Sequence, residues 1–178
     1  MKFTENRPIA RAVLAVVIAG TLVIGGGNAL SAQKKDVQAA FSASSESISA
    51  ELKEMSDNAL VMNTIIANAE GADTEKVTAV SNAIEALESA ETVSECYDAA
   101  QTLTAAVEDL YSYGSNLKLS DTDASDFRYK YKNFSSALLR ISHDSYNELA
   151  TAFNEEKSGF PAGLISALRG LSDAQLYE

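Results

Sequence analysis

Beyond residue 36 the apolar residues recur at alternating spacings of three and four, the period of helices that each bury one stripe, and this argues against a chain built mainly on strands. The first stripe is Val37, Phe41, Ile48, Leu52, Met55, Ala59, Met62, Ile66 and Ala69, with small Ser44 filling one step. It predicts a single helix over 36–69, about 50 Å long at 1.5 Å per residue. Gly71 is placed to take a left-handed cap, and Asp73 or Thr74 to cap the next helix. A second stripe runs Val77, Val80, Ile84 and Leu87. The pattern resets at Thr92-Val93-Ser94-Glu95, a capping-box sequence, and a third stripe continues through Cys96, Ala100, Leu103, Val107 and Leu110, with Gly114 as its stop. After a polar stretch, the last stripe carries Phe127, Tyr131, Phe134, Leu138, Ile141, Ser145, Leu149 and Ala152, and Gly159-Phe160-Pro161 ends it. A short helix over about 162–168 comes next. Residues 127–134 also alternate with a period of two, but the helical stripe continues far beyond them. Four amphipathic segments with short joints predict an all-α fold, an antiparallel four-helix bundle with long first and last helices.

Ahead of the bundle, residues 12–33 carry no charge, and Val13 to Ala19 and Leu22 to Ile24 are strongly apolar. About 20 apolar residues span a bilayer as a helix, so the run reads as an N-terminal transmembrane helix. A basic start, an apolar core and small residues at 29–32 also fit a signal peptide cleaved there. A buried core helix is the third reading, but it leaves Arg7 and Arg11 without a reason. Gly25-Gly26-Gly27 weakens the helix near its outer end and keeps cleavage open. The net charge of −11 is uneven: Lys2, Arg7 and Arg11 against Glu5 make the first 32 residues +2, leaving −13 for the body. Lys34 and Lys35 lie just after the span, so the positive-inside rule favours an extracytoplasmic body by a small margin.

Residues 145–171 hold a recognisable motif. Tyr146-Asn147 and Phe153-Asn154 are aromatic–asparagine pairs seven residues apart, succeeded by Phe160-Pro161, Ala162-Gly163-Leu164-Ile165 and Gly170-Leu171. This resembles the closing signature of the LemA family, and the layout is similar too: a short tail (1–11), one hydrophobic span (12–33), a helical bundle (34–171) and a C-terminal tail (172–178). Asn116-Leu117-Lys118 also looks like the family's loop before its last long helix. The chain departs from the pattern at 57–61, where Asp-Asn-Ala-Leu-Val stands in place of a Pro-containing run. Phe153 replaces a Tyr, Leu171 a Phe, and Lys157 an apolar residue. The resemblance implies a membrane-anchored helical protein with no established enzymatic activity. Family descriptions put the short N-terminus outside and the bundle inside, opposite to the charge argument.

The motif also has a physical reading of its own. Residues seven apart lie on nearly one side of a helix, so Tyr146 and Phe153 can share a seam, with Asn147 and Asn154 facing a neighbouring helix to fix register. Phe160-Pro161 folds the chain back, with Leu164, Ile165 and Leu168 covering the bundle's end. The functional alternative is that the Asn pair lines a binding groove.

Little else points to chemistry. One Cys and one His cannot build a structural zinc site or a disulfide, and the acidic balance argues against nucleic acid as partner. His143 and Asp144 are adjacent on a predicted helix and do not face each other. Cys96 sits on an apolar stripe as a small hydrophobe. A loop over 121–126, with Asp121, Asp123 and Asp126, lacks the Gly and closing Glu of an EF-hand, and Glu155-Glu156 offers at most loose cation binding. No cofactor and no catalytic residue is assigned. Arg128, Lys130 and Lys132, interleaved with Tyr129 and Tyr131, are the basic cluster in the acidic body. They read either as a solvated face or as a docking patch for an anionic partner. The expectation is a non-enzymatic scaffold that is held by membrane lipid through its N-terminal helix and recruits a protein partner. The alternative is an exported ligand-sensing bundle released by cleavage. Oligomeric state is open.

Overall fold

A computed structural model describes residues 7–178; the side chains of 7–16, Ala19 and Leu22 lie outside the description. Among the described residues seven helices are formed: α1 (Arg7–Ser42), α2 (Ile48–Ala67), α3 (Thr74–Ser89), α4 (Val93–Gly114), α5 (Asp121–Ser142), α6 (Tyr146–Ser158) and α7 (Ala162–Arg169). The chain divides into two compact units. One comprises residues up to Gln38 with Glu148–Ala174, and the other Ala39–Asn147 with Gln175–Glu178. Residues 1–6 of the N-terminal tail and the first side chains of the span read at 12–33 fall outside the described set. Among the described residues no helix is long and apolar enough to cross a membrane.

The second unit is a four-helix bundle of α2 to α5, and its cross-links show how each helix runs relative to the next. Early α2 meets late α5, where Arg140 holds Glu51 through two bonds, Nε to Oε1 at 2.7 Å and Nη2 to Oε2 at 2.6 Å. Late α2 meets early α3, where Asn63 Nδ2 donates to Val77 O and Ser81 Oγ. Early α3 meets late α4 in the ion pair Lys76–Asp109, and late α4 meets early α5 where Tyr111 stacks on Phe127 with centroids 5.5 Å apart. Each neighbour is therefore antiparallel, the up-down-up-down arrangement that short connections produce. Met55, Met62, Ile66, Leu103, Val107, Leu110 and Phe134 are buried between the helices, and each large side chain removed from water contributes about 1.5–3 kcal/mol.

The expected caps are present. Gly71 takes a positive φ of 84°, Asp73 accepts from Glu75 N–H to start α3, and Thr92 and Glu95 close a full capping box on α4. The expected long first and last helices are each broken. The predicted helix over 36–69 stops at Ser42, and α2 starts afresh at Ile48. Serines make the break: Ser44 Oγ accepts from Glu46 N–H, and Ser47 Oγ donates to Ser44 O and accepts from Ala50 N–H as the N-cap of α2. Short hydroxyl side chains compete with helical bonding in this way. The last helix breaks at 143–145, where Asp144 Oδ1 accepts from Tyr146 N–H at 2.7 Å and opens α6. That break shifts the buried phase by one residue. Leu149 is exposed, and Tyr146, Ala150 and Phe153 are buried instead of Ser145, Leu149 and Ala152.

The first unit packs α7 onto α1. A Cβ on Gly26 would stand 2.8 Å from Ile165 Cδ1, and one on Gly27 would stand 2.6 Å from Arg169 Nε. Arg169 Nη2 donates to Ile24 O and Asn28 Oδ1, both at 3.2 Å. Only Ile165 of the apolar trio expected to cover the bundle is buried, and it is buried here, while Leu164 and Leu168 are exposed.

Within the bundle, Gly114 faces the ends of Ile66 and Phe127, with a new Cβ falling 2.6 Å from both. Overpacking of this kind costs about 1–3 kcal/mol. Gly114→Ala is expected to lower stability by that amount in urea unfolding monitored by circular dichroism; an unchanged midpoint would show that the ring yields freely.

Candidate functional site

The C-terminal segment after Arg169 has no regular secondary structure, so its backbone groups need partners outside itself. Asparagine meets that need because one planar amide carries both a donor and an acceptor. In the first unit, Asn154 Nδ2 donates to Ala174 O at 2.9 Å and Asn154 Oδ1 accepts from Ala174 N–H at 2.8 Å. In the second unit, Asn147 repeats the arrangement on Tyr177, with Nδ2 donating at 2.9 Å and Oδ1 accepting at 2.7 Å. Each grip closes within its own unit.

The aromatics of the motif do the packing. Phe153 is buried. Tyr146 is buried against the edge of Phe41, 5.4 Å between centroids, and its hydroxyl donates to Gln175 O at 2.7 Å. Tyr177 meets Tyr97 edge-on at 5.2 Å and 90°, and Gln175 Oε1 accepts from Val93 N–H at the start of α4. Burial pushes the Tyr177 phenol well above its ordinary range, and the neighbouring Cys96 and Tyr97 add to the shift. Burial also raises the Tyr146 phenol. In the first unit Lys157, itself buried, donates to Leu171 O at 3.2 Å and pairs with Asp173.

The motif residues thus divide. Tyr146, Asn147, Phe153 and Asn154 engage the rest of the chain, but the asparagines bind an extended segment and not a neighbouring helix. Phe160 and Pro161 form the α6–α7 joint, joined by a cis peptide, and Phe160 is 92% exposed. The partners Ala174, Gln175 and Tyr177 carry no apolar period and sit in the stretch read from sequence as a plain tail. The only signal that could have found them is an aromatic after a polar run.

Arg128, Lys130 and Lys132 all lie on α5, but not on one face. Arg128 and Lys132 are one turn apart and exposed, whereas Lys130 is about 200° around the helix from Arg128 and half-buried. Asp121 and Asp123 belong to the first turn of α5 and not to a loop, because Ser120 caps that helix and accepts from Asp123 N–H. Acidic residues there suit the positive end of the helix dipole. His143 is the exposed C-cap of α5, and Asp144 is committed to the α6 cap. Cys96 is half-buried, and burial, then Glu95, raises its thiol away from thiolate chemistry. Among the described residues no group of three His, Cys, Asp or Glu side chains could hold a metal ion. A cavity of about 220 Å³ lies in the second unit beside Ile48, Ala100, Leu138, Asn147 and Tyr177, which is below the usual size of small-molecule sites.

No family model, no curated protein and no solved structure matches this chain.

Two outcomes are expected. Asn154→Ala removes both partners of Ala174, and a buried unsatisfied amide costs about 1–3 kcal/mol. Amide exchange at Ala174 should therefore accelerate by about tenfold or more, and Asn147→Ala should do the same at Tyr177; unchanged protection would mean that the amides do not hold the segment. Because the folded Tyr177 phenol lies above its unfolded value near 10, the folded state keeps the proton longer. Its contribution is full below about pH 10 and is lost as pH rises further. Tyr177→Phe should flatten the alkaline fall in stability measured by urea unfolding between about pH 9 and 11.

Proposed function

We propose that the chain is a LemA-like single-pass membrane protein whose helical body is a non-enzymatic scaffold for a protein partner, with α1 retained as its lipid anchor. The seat of α7 carries this reading. Ile165 and Arg169 pack on Gly26 and Gly27, and Arg169 bonds Ile24 and Asn28. Leu30 is 4% exposed. Cleavage near 29–32 would strip α7 of these partners, so the packing favours an uncleaved anchor over a released sensor. The motif adds support of a different kind: its conspicuous polar residues are committed to holding the chain's own backbone, which leaves the exterior of the helices for a partner. Arg128 and Lys132, sharing one exposed face of α5, supply the chemistry for an anionic partner surface.

The test is fractionation of cells expressing the chain with a C-terminal tag. The protein is expected in the membrane pellet after alkaline carbonate washing, at a mass that still includes residues 24–28. Recovery as a soluble product starting near residue 29 to 33 would refute the anchor and favour the exported bundle. Proximity labelling from the same tag reads the partner, and Arg128→Glu with Lys132→Glu should cut that labelling severalfold at low salt while Lys130→Glu leaves it near the original level.

A further inference from the structure

α7 is amphipathic, and among the described residues one side of it has no protein against it. Ile165 and Ser166 are buried, while Leu164 and Leu168, one turn apart, are 60% and 64% exposed, and Phe160 at the preceding joint is more exposed still. Leu164 and Leu168 thus share one exposed side of α7 away from the seat, and Phe160 adds a third exposed apolar side chain at the joint before the helix. Isolated exposed leucines need no explanation, but an aligned set on the helix that packs against an uncharged apolar segment does.

Its height along α1 says what covers it. The contacts of α7 fall at residues 24–28 of α1, inside the uncharged run over 12–33. The polar contacts of the same unit fall further along: Gln33 Nε2 donates to Glu156 at 3.0 Å, and Lys34 Nζ to Ser172 at 2.6 Å. From Gly26 to Lys34 the helix rises about 12 Å. Over a distance comparable to an interfacial layer the unit's partners on α1 therefore change from a carboxylate and a lysine to Ile165 with one cation, Arg169, and α1 itself exposes Ile24 at that level. Arg169 completes the arrangement. Its Nη2 is tied to two α1 oxygens, while the rest of the exposed guanidinium keeps its charge and its remaining donors for anionic headgroups at the boundary. A protein partner would not require this gradient along α1, and a bilayer does.

We infer that α7 is a second membrane contact, a short helix lying in the headgroup–acyl boundary with Phe160, Leu164 and Leu168 immersed, held at that depth by the glycine seat on α1. The inference rests on the anchoring reading of α1. The anchor and α7 together would fix the tilt and rotation of the first unit at the surface, which a single span does not do.

Spin-label depth measurement tests it on the full chain in phosphatidylglycerol-containing vesicles. In a Cys96→Ser background, nitroxides are placed singly by Phe160→Cys, Leu164→Cys and Leu168→Cys, with Ile18→Cys reporting the anchor and Leu139→Cys, exposed on α5, reporting water. The expected result is that collision with oxygen relative to a water-soluble nickel chelate is at least threefold higher at 160, 164 and 168 than at 139. If 18 reports lipid while the α7 sites report water, the α7 contact is wrong and the anchor stands. If 18 also reports water, the anchoring reading fails and the inference with it. Labels at 160, 164 and 168 shielded from both reagents would mean that a protein, such as a second copy, covers the face, and that also overturns the bilayer as its occupant.

Discussion

An extended segment beside helices has no ladder to join, and every N–H and C=O it buries must find a side chain. Asn147 and Asn154 meet that constraint with the amide group that can donate and accept at once. Their bonds run to main-chain atoms of Tyr177 and Ala174, so they place no demand on what side chains the segment carries. The demand is on spacing and on the aromatic neighbours that keep α6 in position. The aromatic–asparagine pairing in the sequence has its reason here: the ring fills a buried place, and the next residue, about 100° around the helix, reaches the backbone that passes there. Asn63 in the bundle uses only half of the device: its Nδ2 donates to Val77 O and Ser81 Oγ of α3, and its buried Oδ1 has no partner among the described residues.

The glycine run has the opposite logic. By propensity alone, Gly25-Gly26-Gly27 costs about 1 kcal/mol per residue in a helix, which marks it as a weak point where the chain could be cut. α1 nevertheless runs through it to Ser42. Two of the three glycines make room for side chains of α7, at distances where a Cβ would meet the end of Ile165 or the Arg169 guanidinium. Local propensity is overridden by packing, and a segment that resembles a processing site serves as a seat.

How far the fold was legible turns on the same contrast. Periodicity located the buried stripes of α2 to α5, and cap chemistry at Gly71, Asp73 and Thr92 located their ends, because both are local properties. The two breaks were missed because a stripe can continue across a break. Phe41 and Ile48 keep the spacing of one helix although residues 43–47 between them belong to none, and Ser44 and Ser47 read as filler in place of caps. At 143–145 the spacing did change, by one residue, and the change was hidden because Leu149 and Ala152 are as apolar as the Ala150 and Phe153 that are buried. The asparagine motif was visible, and its partner was not. A gripped backbone leaves no pattern in the residues gripped, so Ala174 and Tyr177 looked like the rest of a polar end. The basic cluster on α5 divides for a simpler reason: alternate positions on a helix diverge, and three charges close in sequence fall on two faces.

Lys157 shows how the first unit tolerates a departure from the pattern it resembles. An apolar residue stands there in the LemA signature, and a lone lysine buried in its place would lose its solvation without return. Here the ammonium reaches Leu171 O and Asp173, both in the segment that Asn154 holds three residues back on the same helix. The carbonyl and the carboxylate are in reach only because that grip fixes Ala174 next to them. The lysine in turn anchors the segment at a second point and leaves Ser172, between its two partners, to accept from Lys34. A buried lysine on α6 is acceptable because the extended segment supplies the oxygen atoms that a neighbouring helix, with its carbonyls already bonded, could not.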